Sequence, residues 1–118
     1  MSKIRFFYEN ELTATAEIVG DRVYIEKYTD IWFKQLLYAY DEELSLIQFK
    51  ELLEMRCWER NRVGIHNILH TLGLSEYDPL EICKKTHGVS YNDHLWISFD
   101  KNENLCWEDL DPIRKHQS

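Results

Sequence analysis

The stretch LTATAEIVGDRVYIEKY, residues 12–28, decides the fold class. Across residues 12–19, Leu12, Ala14, Ala16 and Ile18 alternate with Thr13, Thr15 and Glu17. That period of two sends successive side chains to opposite faces of a β-strand. Gly20-Asp21 is a turn signal, and RVYIEKY (22–28) resumes an extended pattern of β-branched and aromatic residues. Upstream, KIRFFYE (3–9) reads as another strand, closed by Glu9-Asn10. Three such runs joined by tight turns predict a small N-terminal antiparallel meander.

Beyond Thr29-Asp30 the periodicity changes. DIWFKQLLYAY (30–40) is so dense in apolar residues that it fits a short helix or a continued strand. Ser45 has N-cap chemistry for LIQFKELLEMRCW, in which Leu46, Phe49 and Leu53 share one helical face. A second helix is predicted over 61–72, where Ile65, Ile68, Leu69 and Leu72 form the apolar stripe and Gly73 the stop.

SEYDPLEICKKTHG (75–88) carries the clearest local signal. Asp78 caps, Pro79 stands at N1 where its missing N–H is harmless, and Glu81 lies at the positive end of the helix dipole. Lys84, Lys85 and His87 are expected in the last turn, with Gly88 ending the helix. HLWISF (94–99) then reads as a strand, Leu95, Ile97 and Phe99 on one side and Trp96 on the other. LCWEDLDPIR (105–114) holds a short helical turn around Trp107. The expectation is an α+β fold: an antiparallel β meander, about three short helices and a further strand. It forms one domain over residues 1–113, with 114–118 as a frayed tail.

The chain is 118 residues long, suited to one hydrophobic core. Its sixteen aromatics supply area for that core and for a binding face. The net charge is −7, concentrated in two segments, 41–54 and 100–111, each with five acids and one lysine. A negative field repels phosphate backbones, which disfavours general nucleic-acid binding. The acids are then either a solvated surface or a face that meets a basic partner. Cys57, Cys83 and Cys106 are odd in number and form no CxxC, a pattern expected of free thiols in a reducing cytoplasm. No leader-like apolar segment follows the N-terminal residues, and no run reaches the ~18 apolar residues of a membrane span, so a cytoplasmic location is expected.

Three constellations were candidates for chemistry. Ser90, Asp93 and His94 supply the residue types of acyl transfer, but no G-x-S-x-G elbow or Gly-rich segment offers an oxyanion hole. Ser90 and Asp93 are the expected residues of a turn. His66 and His70 form H-x-x-x-H on the predicted second helix, yet Asn67 stands where a zincin needs glutamate. RCWERNR (56–62) brackets Trp58 with Arg56, Arg60 and Arg62, and pairing with Glu51, Glu54 or Glu59 is expected rather than DNA reading. No phosphate loop or dinucleotide fingerprint is present, and no cofactor or metal is expected.

From Phe49 onward, FKELLEMRCWERNRVGIHNILHTLGLSEYDPLEICKKTHGVSYNDHLWISF followed by WEDLD resembles small proteins of clostridial genomes and mobile elements. These are encoded beside, or fused ahead of, HipA-like kinases. YENELTATAEIVGDRVYIEKY (8–28) is similar to the β-rich N-terminal lobe of HipA-type proteins. The resemblance implies a free-standing accessory lobe, antitoxin-like, that binds and restrains a kinase toxin whose catalytic lobe lies elsewhere. A second reading is a phage-type anti-defence protein, such as an anti-CRISPR inhibitor, that blocks the nucleic-acid site of a host defence nuclease. Under either, the expected partner-binding residues are Asp41, Glu42, Glu43, Asp100, Glu103, Trp107, Glu108, Asp109 and Asp111, with Trp107 as apolar anchor.

Overall fold

The computed structural model describes residues 3–37, 41–90, 93–99 and 105–110. The expected meander forms β1 (Lys3–Tyr8), β2 (Glu11–Val19) and β3 (Arg22–Lys27). Between β2 and β3 the loop is two residues, Gly20-Asp21, with Gly20 at φ +62. A positive φ at the first central position is what a II′ hairpin loop requires, and glycine meets it without strain. Two short strands extend the sheet on either side, β4 (Glu43–Ser45) and β5 (Leu95–Ser98). The order is β4-β3-β2-β1-β5, and every neighbouring pair is antiparallel. The α+β fold read from the sequence is the fold observed.

Ile4, Phe6, Ala14, Ala16, Val23, Ile25 and Ile97 line one face of the sheet. Helix α1 (Leu46–Glu54) lies on that face through Phe49, Leu52 and Leu53, and α3 (Pro79–Thr86) adds Cys83. Phe49 meets Phe6 edge to face at 6.2 Å. Complete burial of a side chain that size contributes roughly 2–3 kcal/mol. The start of α1 is set locally by a capping box. The Ser45 Oγ accepts from the Gln48 N–H at 3.1 Å, and Gln48 Oε1 accepts from the Ser45 N–H at 3.1 Å. The α3 start follows its prediction too, with Asp78 Oδ1 accepting from the Leu80 N–H at 3.0 Å and Pro79 at N1.

Four local expectations are corrected. First, Leu12 does not continue the Ala14–Ala16 face. Phe6 pairs with Ala14 but Phe7 with Leu12, so Thr13 is an extra residue in β2 that turns Leu12 to the opposite face. The bulge is held internally: Thr13 Oγ1 donates to Phe6 O, and Gln35 Nε2 donates to Thr13 O. Second, α2 is Ile65–Thr71 rather than 61–72, because Gly64 in the left-handed region precedes it. Third, His87 is not in the last turn of α3. It adopts φ 60 itself and is the left-handed residue that ends the helix. Fourth, β5 is Leu95–Ser98 rather than 94–99. Of residues 30–40, only Trp32–Lys34 form a turn of 3-10 helix, and residues 38–40 lie outside the described residues.

The second face of the sheet carries its own small core. Trp96 is buried there, stacked on Phe7 at 4.4 Å, with Val89 and Leu110 against it. Leu110 belongs to the predicted helical turn, which is a 3-10 segment, Trp107–Leu110. Among the described residues no helix is long and apolar enough to cross a membrane.

Candidate functional site

The β1–β2 hairpin tip is the point on which the site is built. Glu9 turns the chain at φ 51, an uncommon conformation for a non-glycine residue. β5 and the residue before it hold it there: Glu9 N–H donates to His94 O at 2.9 Å, and Trp96 Nε1 donates to Glu9 O at 2.6 Å. The Glu9 carboxylate then meets His94 Nδ1 at 2.8 Å. Asn10, the next residue, accepts from the Trp107 N–H at 2.8 Å. A hairpin turn thus places His94 and Trp107 side by side.

Ring contacts connect these groups into a ladder. Trp32 packs on Phe33 (centroids 5.8 Å apart), Phe33 on Tyr8 (5.7 Å), Tyr8 on His94 (5.9 Å) and His94 on Trp107 (5.1 Å). The 3-10 turn that supplies Trp32 and Phe33 is anchored by Lys34, which pairs with Glu11 at 2.9 Å and lies over the Tyr8 ring. Trp32 is 70% exposed, and Phe33, Ile31 and Tyr28 beside it are exposed as well. Trp107 is half-buried, packed against the Trp96–Leu110 core while one side meets His94.

Carboxylates border the Trp107 end. The Cys106 thiol, hydrogen-bonded to Glu108, holds that carboxyl below its usual range. The Cys106 backbone N–H, donating to Asp109 at 3.0 Å, does the same for Asp109. Those same carboxylates, Glu108 first, push the Cys106 thiol up. Both acids are therefore ionised at neutral pH.

The expected partner-binding residues do not all meet. Asp41, Glu42 and Glu43 stand at the β4 edge of the sheet, where Glu43 pairs with Arg22 at 3.1 Å. Trp107, Glu108 and Asp109 stand by the β1–β2 hairpin tip, in the segment that packs on the second face of the sheet. Asp100, Glu103 and Asp111 lie outside the described residues.

The chemistry candidates also receive definite places. Asp93 is turned to Arg56, whose Nη1 and Nη2 donate to its two oxygens at 2.6 and 2.8 Å. Asp93 Oδ1 also accepts from the Leu95 N–H, the turn role expected of it. The acid that meets His94 is Glu9. His66 and His70 are both exposed on α2, and among the described residues no three His, Cys, Asp or Glu cluster as metal ligands. Arg60 pairs with Glu54 as expected, and its guanidinium covers the Tyr77 ring at 4.4 Å.

Sequence reading missed Tyr8, Glu9, Trp32, Phe33 and His94 as members of one surface. The only local trace was the run Ile31-Trp32-Phe33, apolar without a clear period. Comparison with protein-family models, with curated proteins and with solved structures finds no match to this chain.

Proposed function

We propose that this protein is a non-catalytic regulator that docks on a protein partner through the aromatic ladder. Neighbouring carboxylates steer a basic surface toward it. The observation that carries the reading is the ladder, five rings in succession with Trp32 70% exposed at one end and ionised Glu108 and Asp109 at the other. Contiguous exposed aromatics mark interaction surfaces, and tryptophan and tyrosine supply much of the affinity there. Rim charges mainly speed encounter and reject like-charged partners. Asp93 is engaged by Arg56, and it is Glu9 rather than Asp93 that meets His94, so the Asp93–His94 pairing that the Ser90 group would need as a triad is not formed.

The partner that the resemblance implies is a HipA-like kinase toxin, restrained by this chain as a separate lobe. A host defence nuclease is the second reading. A row of aromatic rings bordered by carboxylates suits a basic groove that otherwise takes bases and phosphates. Titrating the purified chain into a HipA-like kinase, and in parallel into a CRISPR nuclease, tests both. Binding with loss of phosphoryl transfer supports the first reading, and binding with loss of nucleic-acid binding supports the second. Turnover of a small substrate by the chain alone, lost on Ser90→Ala or His94→Ala, contradicts both.

A further inference from the structure

We propose that Cys57 and Cys83 form a dithiol site that closes to an intramolecular disulfide when the protein meets a small hydroperoxide. This does not rest on the docking reading. The two sulfurs stand 3.8 Å apart, although 26 residues separate them in the chain. Both point at one acceptor, Leu53 O, at 3.3 Å from Cys57 and 3.7 Å from Cys83. A disulfide needs about 2.05 Å, so the sulfurs must approach by roughly 1.8 Å. Cys83 sits in the middle of α3 and is fully buried, which fixes it. Cys57 follows the end of α1 in a turn and is half-buried, so the adjustment falls on Cys57.

The two thiols also have different access. Cys57 lines an open depression of about 310 Å³ with Arg56, Trp58, Arg62, Val89 and Ser90. The hydrogen bond with Cys57 and burial push the Cys83 thiol well up, and Cys83 is fully buried. Oxidation therefore starts at Cys57. Its sulfur attacks the peroxide, an S–O bond forms, the O–O bond breaks, and the alcohol (or water) leaves with the thiol proton. Cys57 is then a sulfenic acid, oxidised by two electrons while the peroxide is reduced. The Cys83 sulfur next attacks that sulfur, the S–S bond forms, the S–O bond breaks, and water leaves with the Cys83 proton. The product ties the end of α1 to the middle of α3 across α2.

Hydrogen peroxide added to the intact protein, followed by alkylation, intact mass and peptide mapping, tests the site. The expected result is a loss of ~2 Da with a cross-linked peptide pair containing Cys57 and Cys83, reversed by dithiothreitol. Free thiols fall from three to one, leaving Cys106. In Cys83→Ser the reaction stops at Cys57 as a sulfenic acid, ~16 Da heavier and trapped by dimedone. If that variant does not fold, the wild-type map decides alone. Cys57 and Cys83 recovered as free thiols, a bridge that includes Cys106, or Cys57 driven to sulfinic acid beside an intact Cys83 thiol would each overturn the proposal.

Discussion

Arg56 and Asp93 are joined by a two-pronged ion pair across 37 residues of chain, with the Arg56 side chain only 9% exposed. The same guanidinium donates from Nε to Gly88 O at 2.8 Å and from Nη2 to Leu95 O at 3.2 Å. One side chain from the end of α1 thus fixes the segment that leads from α3 into β5. Beside it, His87 O accepts from the Ile97 N–H at 2.8 Å. Together they occupy backbone groups on the outer edge of β5, an edge that would otherwise template pairing with another chain.

Arg56→Ala leaves Asp93 and two carbonyls without this partner, and the expected loss is ~2–3 kcal/mol in urea denaturation. Asp93 is a third exposed, which places the loss below that of a fully buried pair. Arg56→Lys should recover less than half, because an ammonium cannot reproduce the fork. Equal stability of Arg56→Ala and wild type would remove this role.

Gly88 and Gly20 have nearly the same φ, +58 and +62. A Cβ at Gly20 meets nothing within 4 Å, whereas at Gly88 it meets Ile97 Cδ1 at 2.8 Å. Gly20→Ala should cost ~1 kcal/mol from backbone strain alone, and Gly88→Ala ~1–2 kcal/mol more from overpacking. Thermal melts giving equal losses would show that Ile97 moves aside.

Asp78→Ala should cost ~1 kcal/mol by removing the cap of α3. Asp78→Asn keeps an acceptor for the Leu80 N–H and gives up only the exposed pair with Lys50 at 3.5 Å, so it should lie within ~0.5 kcal/mol of wild type. If the two variants melt alike, the ion pair rather than the cap is the stabilising element.

Burial pushes the Tyr77 phenol up to about 12, and nearby Cys57 and Glu54 act in the same direction. Its hydroxyl donates to Trp58 O at 2.5 Å, a bond that needs the proton. The unfolded chain ionises this group near pH 10, so its contribution is intact below pH 10 and is lost as pH rises toward 12. The loss is on the order of 1–2 kcal/mol once partial exposure is discounted. Tyr77→Phe should be less stable than wild type at neutral pH and should show a shallower decline between pH 10 and 12. A parallel decline in the two proteins would contradict the assignment.

What the sequence made legible was local. The meander follows from alternation and a glycine turn, and the α1 and α3 starts follow from Ser45 and Asp78, whose caps act within three residues. β4 was missed because Glu43–Ser45 is three residues long and is extended only by pairing with β3. The bulge at Thr13 was missed because the groups that meet its carbonyl, the Tyr28 N–H and the Gln35 side chain, lie well along the chain. The site was least legible of all. Trp107 and its two acids were picked out, but their neighbours Glu9 and His94 are 85 residues apart and are joined only by the pairing of β1 with β5. Asp41–Glu43 lie at the β4 edge and Trp107–Asp109 by the β1–β2 hairpin tip, and no local pattern specifies either place.

The docking reading is tested most directly by association and dissociation rates with a HipA-like kinase across a salt series. Three forms should be compared: wild type, Trp32→Ala, and Glu108→Lys with Asp109→Lys. Trp32 is 70% exposed and separates binding from folding better than half-buried Trp107, so its variant should melt within ~0.5 kcal/mol of wild type. The account predicts that Trp32→Ala raises the dissociation rate at least ~10-fold with little change in association, the signature of a lost aromatic anchor. The double charge reversal should slow association and flatten its salt dependence. Unchanged rates in Trp32→Ala and in the charge reversal, with wild-type binding intact, would contradict the account, because the partner would then be held by some other surface.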